Sequence, residues 1–243
     1  MKSTLFDALP RVVPRRAKDF AKHILRPLSM VRTRVRMAIG VEPLSVSWGY
    51  NWGRPTILRF YLDQFLQEFS GDIRGHCLEF QEDSYTSRFG GGRVTKLDII
   101  HHDTSNPNAT IVADLTRPNQ IPSDVFDCVI CTHVLHVIFE VGKVVAELHR
   151  ILKPGGVLLV GVPHVSMYSP RGNEFWRFTP LGLNTLLAQA FDSEQVLVRG
   201  YGNSLAAAAS MKGMAAQDLT KAELDFQDER FAVEVCARAA KKS

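Results

Sequence analysis

The chain has 243 residues, of which 45% are hydrophobic, so it can bury one sizeable core, and this length suits a single α/β domain. Its four cysteines are too few for a disulfide framework, which favours a reducing cytoplasm. No apolar run approaches the ~18 residues of a membrane-spanning helix, and the N-terminus lacks the apolar core of a signal peptide. These features exclude a disulfide-rich secreted protein and predict a soluble, cytoplasmic one.

The positive charge is concentrated in residues 1–40, which hold ten Lys and Arg against two acidic residues. The whole chain has a formal net charge of +4, so the remainder, with 19 basic and 23 acidic residues, carries −4. We expect a basic N-terminal arm here, which either contacts a membrane surface or an acidic partner such as a glycosyltransferase complex, or stays solvated. The arm has no nucleic-acid-binding motif, so nucleic acid is a minor option.

Residues 41–70 precede the predicted sheet. Their SWGYNWGRP segment supplies Trp48, Tyr50, Trp52 and Arg54, which we expect either to pack or to close over a ligand as a lid. Apolar residues at helical spacing then predict a helix over 56–69 that covers one face of the sheet.

The most informative stretch is FDCVICTHVLHVIFEVGKVVAELHRILKPGGVLLVGVP, from Phe126 to Pro163. Phe126–Thr132 is apolar and β-branched, which predicts a strand buried on both faces of a parallel sheet. An amphipathic helical pattern starts at Val141 and ends at a Pro-Gly-Gly turn, and Gly156–Val162 is a second apolar run. The stretch therefore predicts a βαβ unit with a right-handed crossover, and hence an α/β domain.

Five more segments have strand patterns, and two helix starts lie among them. The strands are predicted at His76–Phe80, Arg93–Asp98, Ala109–Ala113, Gln195–Arg199 and Phe231–Ala237, and the helices start at Thr179–Pro180 and near Asn203. We expect a Rossmann-like, doubly wound, mostly parallel sheet within a domain that spans residues 71–243.

Ligands of an open α/β sheet bind beyond the carboxyl ends of its strands. The residues predicted at those ends are Glu79 and Phe80, then Asp98, then Asp114 and Leu115, then Thr132 and His133, and finally Pro163 and His164. Three successive ends thus carry an acid. The 19 residues from Glu79 to Asp98 are close to the spacing between a nucleotide-binding turn and the carboxylate that binds ribose hydroxyls.

These motifs resemble those of the class I S-adenosylmethionine-dependent methyltransferases, in particular the methyltransferase type 11 group, over roughly residues 71–238. CLEF, KLDI and VADL are similar to the first three strand ends of that family, and the 126–163 stretch is similar to its fourth strand, helix and fifth strand. The resemblance implies seven strands with an antiparallel edge. It also implies S-adenosylmethionine as cofactor and methyl transfer to oxygen on a small or glycan-type acceptor of polysaccharide biosynthesis, with no metal required.

By the same resemblance, Asp98 would bind the ribose hydroxyls, Asp114 and Leu115 would flank the adenine, and Glu79 would anchor the loop under the methionine moiety. Phe80, Gln81, Asp83 and Thr132 complete this expected cofactor site.

The first loop departs from the family pattern E-x-G-x-G-x-G, because Gln81, Asp83 and Tyr85 stand where its three glycines would be. Gly90–Gly92 follow and would relocate the flexible turn. Two interpretations remain open: a variant loop in which Asp83 or Glu82 meets the cofactor ammonium group, or a non-catalytic methyltransferase-like module that docks to a membrane or glycosyltransferase complex.

Catalysis at a hydroxyl calls for a base near neutral pKa, so we expect His133, directly after the fourth strand, to serve, with His164 as the second candidate. His136 also lies just past a strand end. Each histidine can instead cap or pack, and alignment alone can drive methyl transfer. Further on, Arg177 would pair with an anionic acceptor or form a structural ion pair.

Cys128 and Cys131 form a C-x-x-C pair within a predicted strand. Residues i and i+3 of a strand point to opposite faces, and no second Cys/His pair has metal spacing, so neither a redox pair nor a zinc site is predicted.

Overall fold

The computed structural model describes residues 31, 35, 40–46, 54–169 and 172–243. Most of the predicted basic arm lies outside these residues, and so do Trp48, Tyr50 and Trp52 of the predicted lid. Arg54, the remaining residue of that group, pairs with Asp218 at 3.3 Å.

The described residues form one seven-stranded sheet with the strand order β3-β2-β1-β4-β5-β7-β6. The strands are β1 (Gly75–Phe80), β2 (Val94–His101), β3 (Ile111–Val112), β4 (Phe126–Thr132), β5 (Leu152–Pro163), β6 (Val196–Tyr201) and β7 (Glu234–Ala240). The first five strands pair in parallel, whereas β7 is antiparallel to both β5 and β6. The predicted mostly parallel sheet with an antiparallel edge is confirmed.

Helices cover both faces of this sheet. They are α1 (Ile57–Glu68), α2 (Val141–Ile151), α3 (Pro180–Leu187), α4 (Ser204–Met211) and α5 (Lys221–Asp225). Buried side chains of α2 and α3 join one apolar cluster, while those of α1 fall into two others. The helix predicted before the sheet therefore belongs to the α/β domain and packs on it, as its apolar stripe indicated.

Several strand boundaries differ from the sequence-based prediction; β5 begins at Leu152 instead of Gly156, so the predicted Pro-Gly-Gly turn lies within that strand. β2 continues past Asp98 to His101, because it pairs with β1 through Phe80 and Ile100 and with β3 through His101 and Val112. β3 is only two residues long. β7 begins at Glu234 instead of Phe231, since Glu229–Phe231 forms a short helical turn. Because β7 is antiparallel to its neighbours, its first residue, Glu234, lies at the edge where the parallel strands end.

The four cysteines are buried and free. Cys128 packs in the same cluster as Cys77 and Cys236, whereas Cys131 belongs to the cluster on the opposite face. The C-x-x-C pair is therefore divided by the sheet, as the strand period predicted. In the part of the chain that the structure describes, no helix has the length and apolarity needed to cross a bilayer.

Thr179 caps α3, since its side chain accepts a hydrogen bond from the backbone N–H of Gly182 at 3.0 Å, and Pro180 follows at the first helical position. We expect Thr179→Ala to lower the free energy of unfolding by about 1 kcal/mol, because one N-terminal amide loses its partner. Thr179→Ser keeps the hydroxyl and should retain the stability of the parent. Urea denaturation checks this, and equal losses in both variants would contradict it.

Candidate functional site

One edge of the sheet gathers the ends of seven strands. The carboxyl ends of the parallel strands lie there, and because β7 runs the other way, its first residue, Glu234, lies there too. Glu234 pairs with Pro163 at the end of β5 and with Tyr201 at the end of β6.

Glu79 organises the loop that follows β1. Its carboxylate is buried and accepts hydrogen bonds from the backbone N–H groups of Tyr85 at 2.9 Å and Thr86 at 2.7 Å, where a short π-helical turn, Thr86–Gly90, begins. Burial raises the pKa of Glu79, and the hydrogen bonds from the loop oppose that rise. Because these amides bind a side chain of the chain itself, the loop keeps its shape without the usual glycines.

Gln81 adopts a backbone conformation that normally belongs to glycine, with φ at +68°. Its N–H donates to the carbonyl oxygen of Ile100 at 3.1 Å, and its carbonyl accepts from the Asn106 side chain at 2.7 Å. Asp83, two residues on, is exposed and accepts a hydrogen bond from the Ser87 hydroxyl at 3.1 Å. The first glycine position of the family pattern thus keeps its left-handed geometry in a non-glycine residue.

Gly90 of the Gly90–Gly92 segment has a packing role. A Cβ at Gly90 would lie 2.4 Å from a methyl carbon of Val94 and 3.0 Å from one of Ile73, so Gly90 permits close packing where the chain enters β2. Gly91 has φ at +55°, and a Cβ there would meet no atom within 4 Å, so the displaced turn stays a prediction for Gly91 and Gly92.

An open cleft of about 530 Å³ lies between the loop after β1 and the loop after β2. Its lining is entirely polar or charged and comprises Arg59, Gln81, Glu82, His101, Asn106 and Asn108. Arg59 enters from α1 and also contacts the Tyr85 hydroxyl at 3.3 Å.

Asp98 does not lie at the end of β2. It pairs in register with Leu78 in mid-strand, and its carboxylate is bonded to His76 at 2.6 Å and to Thr110 at 2.8 Å, with Lys96 at 3.0 Å. Burial works against its ionisation, but these three partners outweigh it and lower the pKa of Asp98. Its predicted position at the strand end is therefore wrong, because β2 continues three residues further, to His101.

A compact group of titratable residues follows at that strand end. Ligand atoms of His101, His102 and Asp103 lie within 4.8 Å of one another, close enough for a metal ion. The Asp103 carboxylate accepts hydrogen bonds from the hydroxyl and backbone N–H of Ser105, and these bonds hold the pKa of Asp103 at about 2. Asp103 is thus the first acid beyond the true end of β2.

Asp114 and Leu115 follow β3 as predicted. Asp114 accepts hydrogen bonds from the Thr116 hydroxyl at 2.7 Å and the Thr116 N–H at 3.0 Å, which lower its pKa, and it pairs with Arg117 at 3.3 Å. Leu115 is buried in the apolar core. Phe80, at the end of β1, is half-buried and packs against the same core.

His133 follows Thr132, the half-buried last residue of β4, and adopts a left-handed conformation with φ at +53°. Its N–H donates to the carbonyl oxygen of Gly161 at 2.7 Å, and its Nε2 lies 2.9 Å from Oε1 of Glu234. Glu234 is completely buried, and its Oε2 has no hydrogen-bond partner among the described residues. Burial raises the pKa of Glu234, and His133 and Arg59 oppose that rise.

The other two histidines have structural partners. His164 bonds through Nδ1 to the carbonyl oxygen of Phe178 at 2.8 Å. His136 is buried with its Nε2 3.7 Å from Glu174, and burial together with the charge of His133 lowers its pKa to about 4. Arg177 pairs with Glu174 at 2.7 Å, so it forms the structural ion pair of the two predicted alternatives.

Comparisons with known proteins agree with this arrangement. Residues 81–160 match the family model described as a methyltransferase domain. No curated protein sequence matches the chain.

Solved structures show that the whole domain has the class I methyltransferase fold. A SAM-dependent methyltransferase from Archaeoglobus fulgidus aligns with a TM-score of 0.51 and 10% identity over 75% of this chain and 94% of its own. A SAM-dependent methyltransferase from Thermotoga maritima aligns with a TM-score of 0.50 and 14% identity over 91% and 100%. At these identities the alignments establish the fold of the domain.

Two residues of the site were not found from the sequence. Glu234 was placed inside a strand, and only the reversal of β7 reveals that it lies at the functional edge. Arg59 was counted as part of a packing helix, although its long side chain reaches the cleft. An acid at the first position of an antiparallel strand is the signal that would have found Glu234.

The left-handed conformation of Gln81 predicts an unusual response to substitution. Gln81→Gly should raise the free energy of unfolding by up to about 1 kcal/mol, because glycine adopts positive φ without the steric cost of a Cβ atom. Gln81→Ala keeps the Cβ and should give no gain. Chemical denaturation of both variants measures the difference, and a Gly variant no more stable than the Ala variant would argue against the strain.

His136 predicts a dependence of stability on pH. Its pKa is about 4 in the folded state, below the unfolded value, so its contribution is complete above about pH 6.5 and is lost as the pH falls towards 4. Between pH 7 and pH 5 we expect about 2 kcal/mol of lost stability from this group.

Glu79 and Glu234 titrate in the opposite sense, so the contribution of His136 is measured as the difference between the parent and His136→Gln across that range. His102→Gln, at an exposed histidine, is the control and should keep the parent's dependence on pH. Parallel curves for the parent and His136→Gln would contradict the assignment.

Proposed function

We propose that this methyltransferase domain transfers a methyl group from S-adenosylmethionine to the oxygen of a hydroxyl-bearing acceptor. The observation that carries the proposal is the polar cleft beyond β1 and β2, which shares its edge of the sheet with the paired His133 and Glu234. This is the edge at which open α/β sheets bind their ligands.

The cleft suits the cofactor in size and chemistry. Its volume of about 530 Å³ falls within the range of small-molecule sites, and its lining offers carboxylate, amide, imidazole and guanidinium groups. We assign Glu82 to the ammonium group of the cofactor, because Glu82 lines the cleft and Asp83 does not, although each carboxylate accepts a hydrogen bond from a nearby serine, Ser84 and Ser87 respectively. His101 and Asp103 take the place that Asp98 was expected to fill beside the ribose.

S-adenosylmethionine, when bound, supplies a methyl group on a sulfonium sulfur, and the electron pair of the broken carbon–sulfur bond leaves with S-adenosylhomocysteine. His133 accepts the proton that the acceptor hydroxyl loses as its oxygen–carbon bond forms. Glu79 contributes by holding the loop after β1 in a fixed shape, so that Glu82 and the backbone of Gln81 line the cleft before a ligand arrives.

A glycan-type acceptor remains our proposal for the substrate class. It is supported by aromatic rings exposed beside the site: Phe139 stacks on Trp176 with ring centroids 5.9 Å apart and meets Phe175 at 5.6 Å. Flat apolar ring faces next to polar groups suit the faces of a sugar ring. Contact of the basic arm with a membrane or a glycosyltransferase complex likewise stays a proposal.

Calorimetric titration with S-adenosylmethionine and S-adenosylhomocysteine tests the cofactor site. We expect binding in the micromolar range that Glu82→Ala weakens at least tenfold, because the cleft loses its carboxylate. Asp83→Ala is the matched control one residue away and should bind within twofold of the parent. Asp98→Asn should also bind within twofold, since that carboxylate faces His76, Lys96 and Thr110.

Loss of binding in Asp98→Asn with full binding in Glu82→Ala would indicate that Asp98, in the middle of β2, binds the ribose. It would contradict the assignment of the cofactor to the cleft at Glu82. Absence of binding at millimolar cofactor would overturn the enzymatic proposal and favour a non-catalytic module.

A further inference from the structure

Glu234 occupies a closed position under α1. A Cβ atom at Gly161 would lie 3.1 Å from Oε1 of Glu234 and 2.6 Å from a methyl carbon of Leu62, so even one added methyl group does not fit there. The carboxylate is therefore confined between β5, β6 and α1, with its Oε1 directed at His133.

Packing alone does not account for a carboxylate in this place. A buried charge is costly unless it is paired and hydrogen-bonded, and an apolar side chain would fill the same space at lower cost. Oε1 meets Nε2 of His133 at 2.9 Å, while Oε2 has no hydrogen-bond partner among the described residues. The contact with His133 is therefore what explains a buried carboxylate at this position.

We propose that Glu234 is a positioning residue, which fixes a proton on Nε2 of His133 and leaves the Nδ1 lone pair to accept the proton of the methyl acceptor. The inference rests on the proposed methylation of a hydroxyl. The side chain of His133 is 26% exposed, and its Nδ1 has no partner among the described residues, so an acceptor can reach it. Once Nδ1 takes the proton, the imidazolium charge faces the Glu234 carboxylate.

Glu234 is the carboxyl group in contact with His133, and while burial raises its pKa, His133 and Arg59 oppose that rise. Arg59 of α1 favours the ionised carboxylate, and Tyr85 stays neutral because burial raises its pKa. The ring of His136 stands edge-on to His133 with centroids 6.2 Å apart, and its low pKa keeps it neutral at neutral pH. Behind it, Glu174 is already paired with Arg177.

His164 provides a natural comparison within the same protein. It also follows a strand of the site, yet its Nδ1 bonds to the backbone carbonyl oxygen of Phe178, which has no proton to give. That bond places the proton of neutral His164 on Nδ1. The two histidines should therefore be opposite tautomers, one set by a carboxylate and the other by a carbonyl group.

Two-bond nitrogen–proton NMR spectra of the full chain at pH 8 read these tautomers directly, without cofactor or acceptor. We expect the Nε2–H form for His133 in the parent and a mixture of both forms in Glu234→Gln, with His164 unchanged as Nδ1–H. Glu174→Gln, at the buried acid beside His136, is the matched control and should leave His133 as in the parent.

Diethyl pyrocarbonate measures the accessible lone pair by its rate of reaction with each histidine, followed by peptide mass spectrometry. Glu234→Gln should slow carbethoxylation of His133 at least threefold and leave that of His164 within twofold. An Nδ1–H tautomer for His133 in the parent would overturn the inference, even if Glu234→Gln failed to fold. An unchanged tautomer and rate in a folded Glu234→Gln would also overturn it.

These readouts stand apart from the cofactor test. If the calorimetric titration fails while the tautomers behave as expected, the methylation proposal falls and the pairing survives. If the titration succeeds while the tautomer and reaction rate of His133 do not change in Glu234→Gln, the cofactor site stands and the positioning role is wrong.

Discussion

The buried carboxylate of Glu79 is the contact on which the loop after β1, beside the proposed cofactor cleft, depends. In a glycine-rich loop the backbone itself approaches the ligand, whereas here the first amides of the loop's helical turn bind Glu79 at 2.7 and 2.9 Å. That contact fixes the loop from within and leaves Gln81 and Glu82 to line the cleft. The loop therefore does without the family's glycines because Glu79 supports it from within. Side chains, instead of bare backbone, face the cleft.

The placement of the proposed base, His133, and its partner Glu234 depends on the direction of one strand. Because β7 is antiparallel to its neighbours, its amino end reaches the edge where the other strands finish, and Glu234 arrives beneath His133. The left-handed turn at His133 then brings the imidazole onto that carboxylate. Each half of the site thus has a buried acid in contact with a neighbouring loop: Glu79 with the loop after β1, and Glu234 with His133 after β4. Arg59 of α1 links the two halves, because it lines the cleft and its charge opposes the rise in the pKa of Glu234.

Sequence patterns predicted the architecture well because it follows from burial. The apolar runs of β4 and β5 and the apolar stripe of α2 can all be buried together only as a βαβ unit. The ends of β1 and β4 were also predicted correctly. The end of β2 was missed because the polar Asp98 was taken as the strand end, although Ile99 and Ile100 follow it and pairing with both neighbours carries the strand to His101. Glu234 was missed because strand direction at the edge is a property of the whole sheet.

Hydrogen exchange with and without S-adenosylhomocysteine tests the central claim most directly, since it locates the cofactor on the backbone. The account predicts slower exchange of amides in residues 81–86 and 101–108 when the ligand is present, with residues 94–98 unchanged. Protection centred on the middle of β2 around Asp98, or none at either loop, would contradict a cofactor site built from a loop that Glu79 holds in place of glycines.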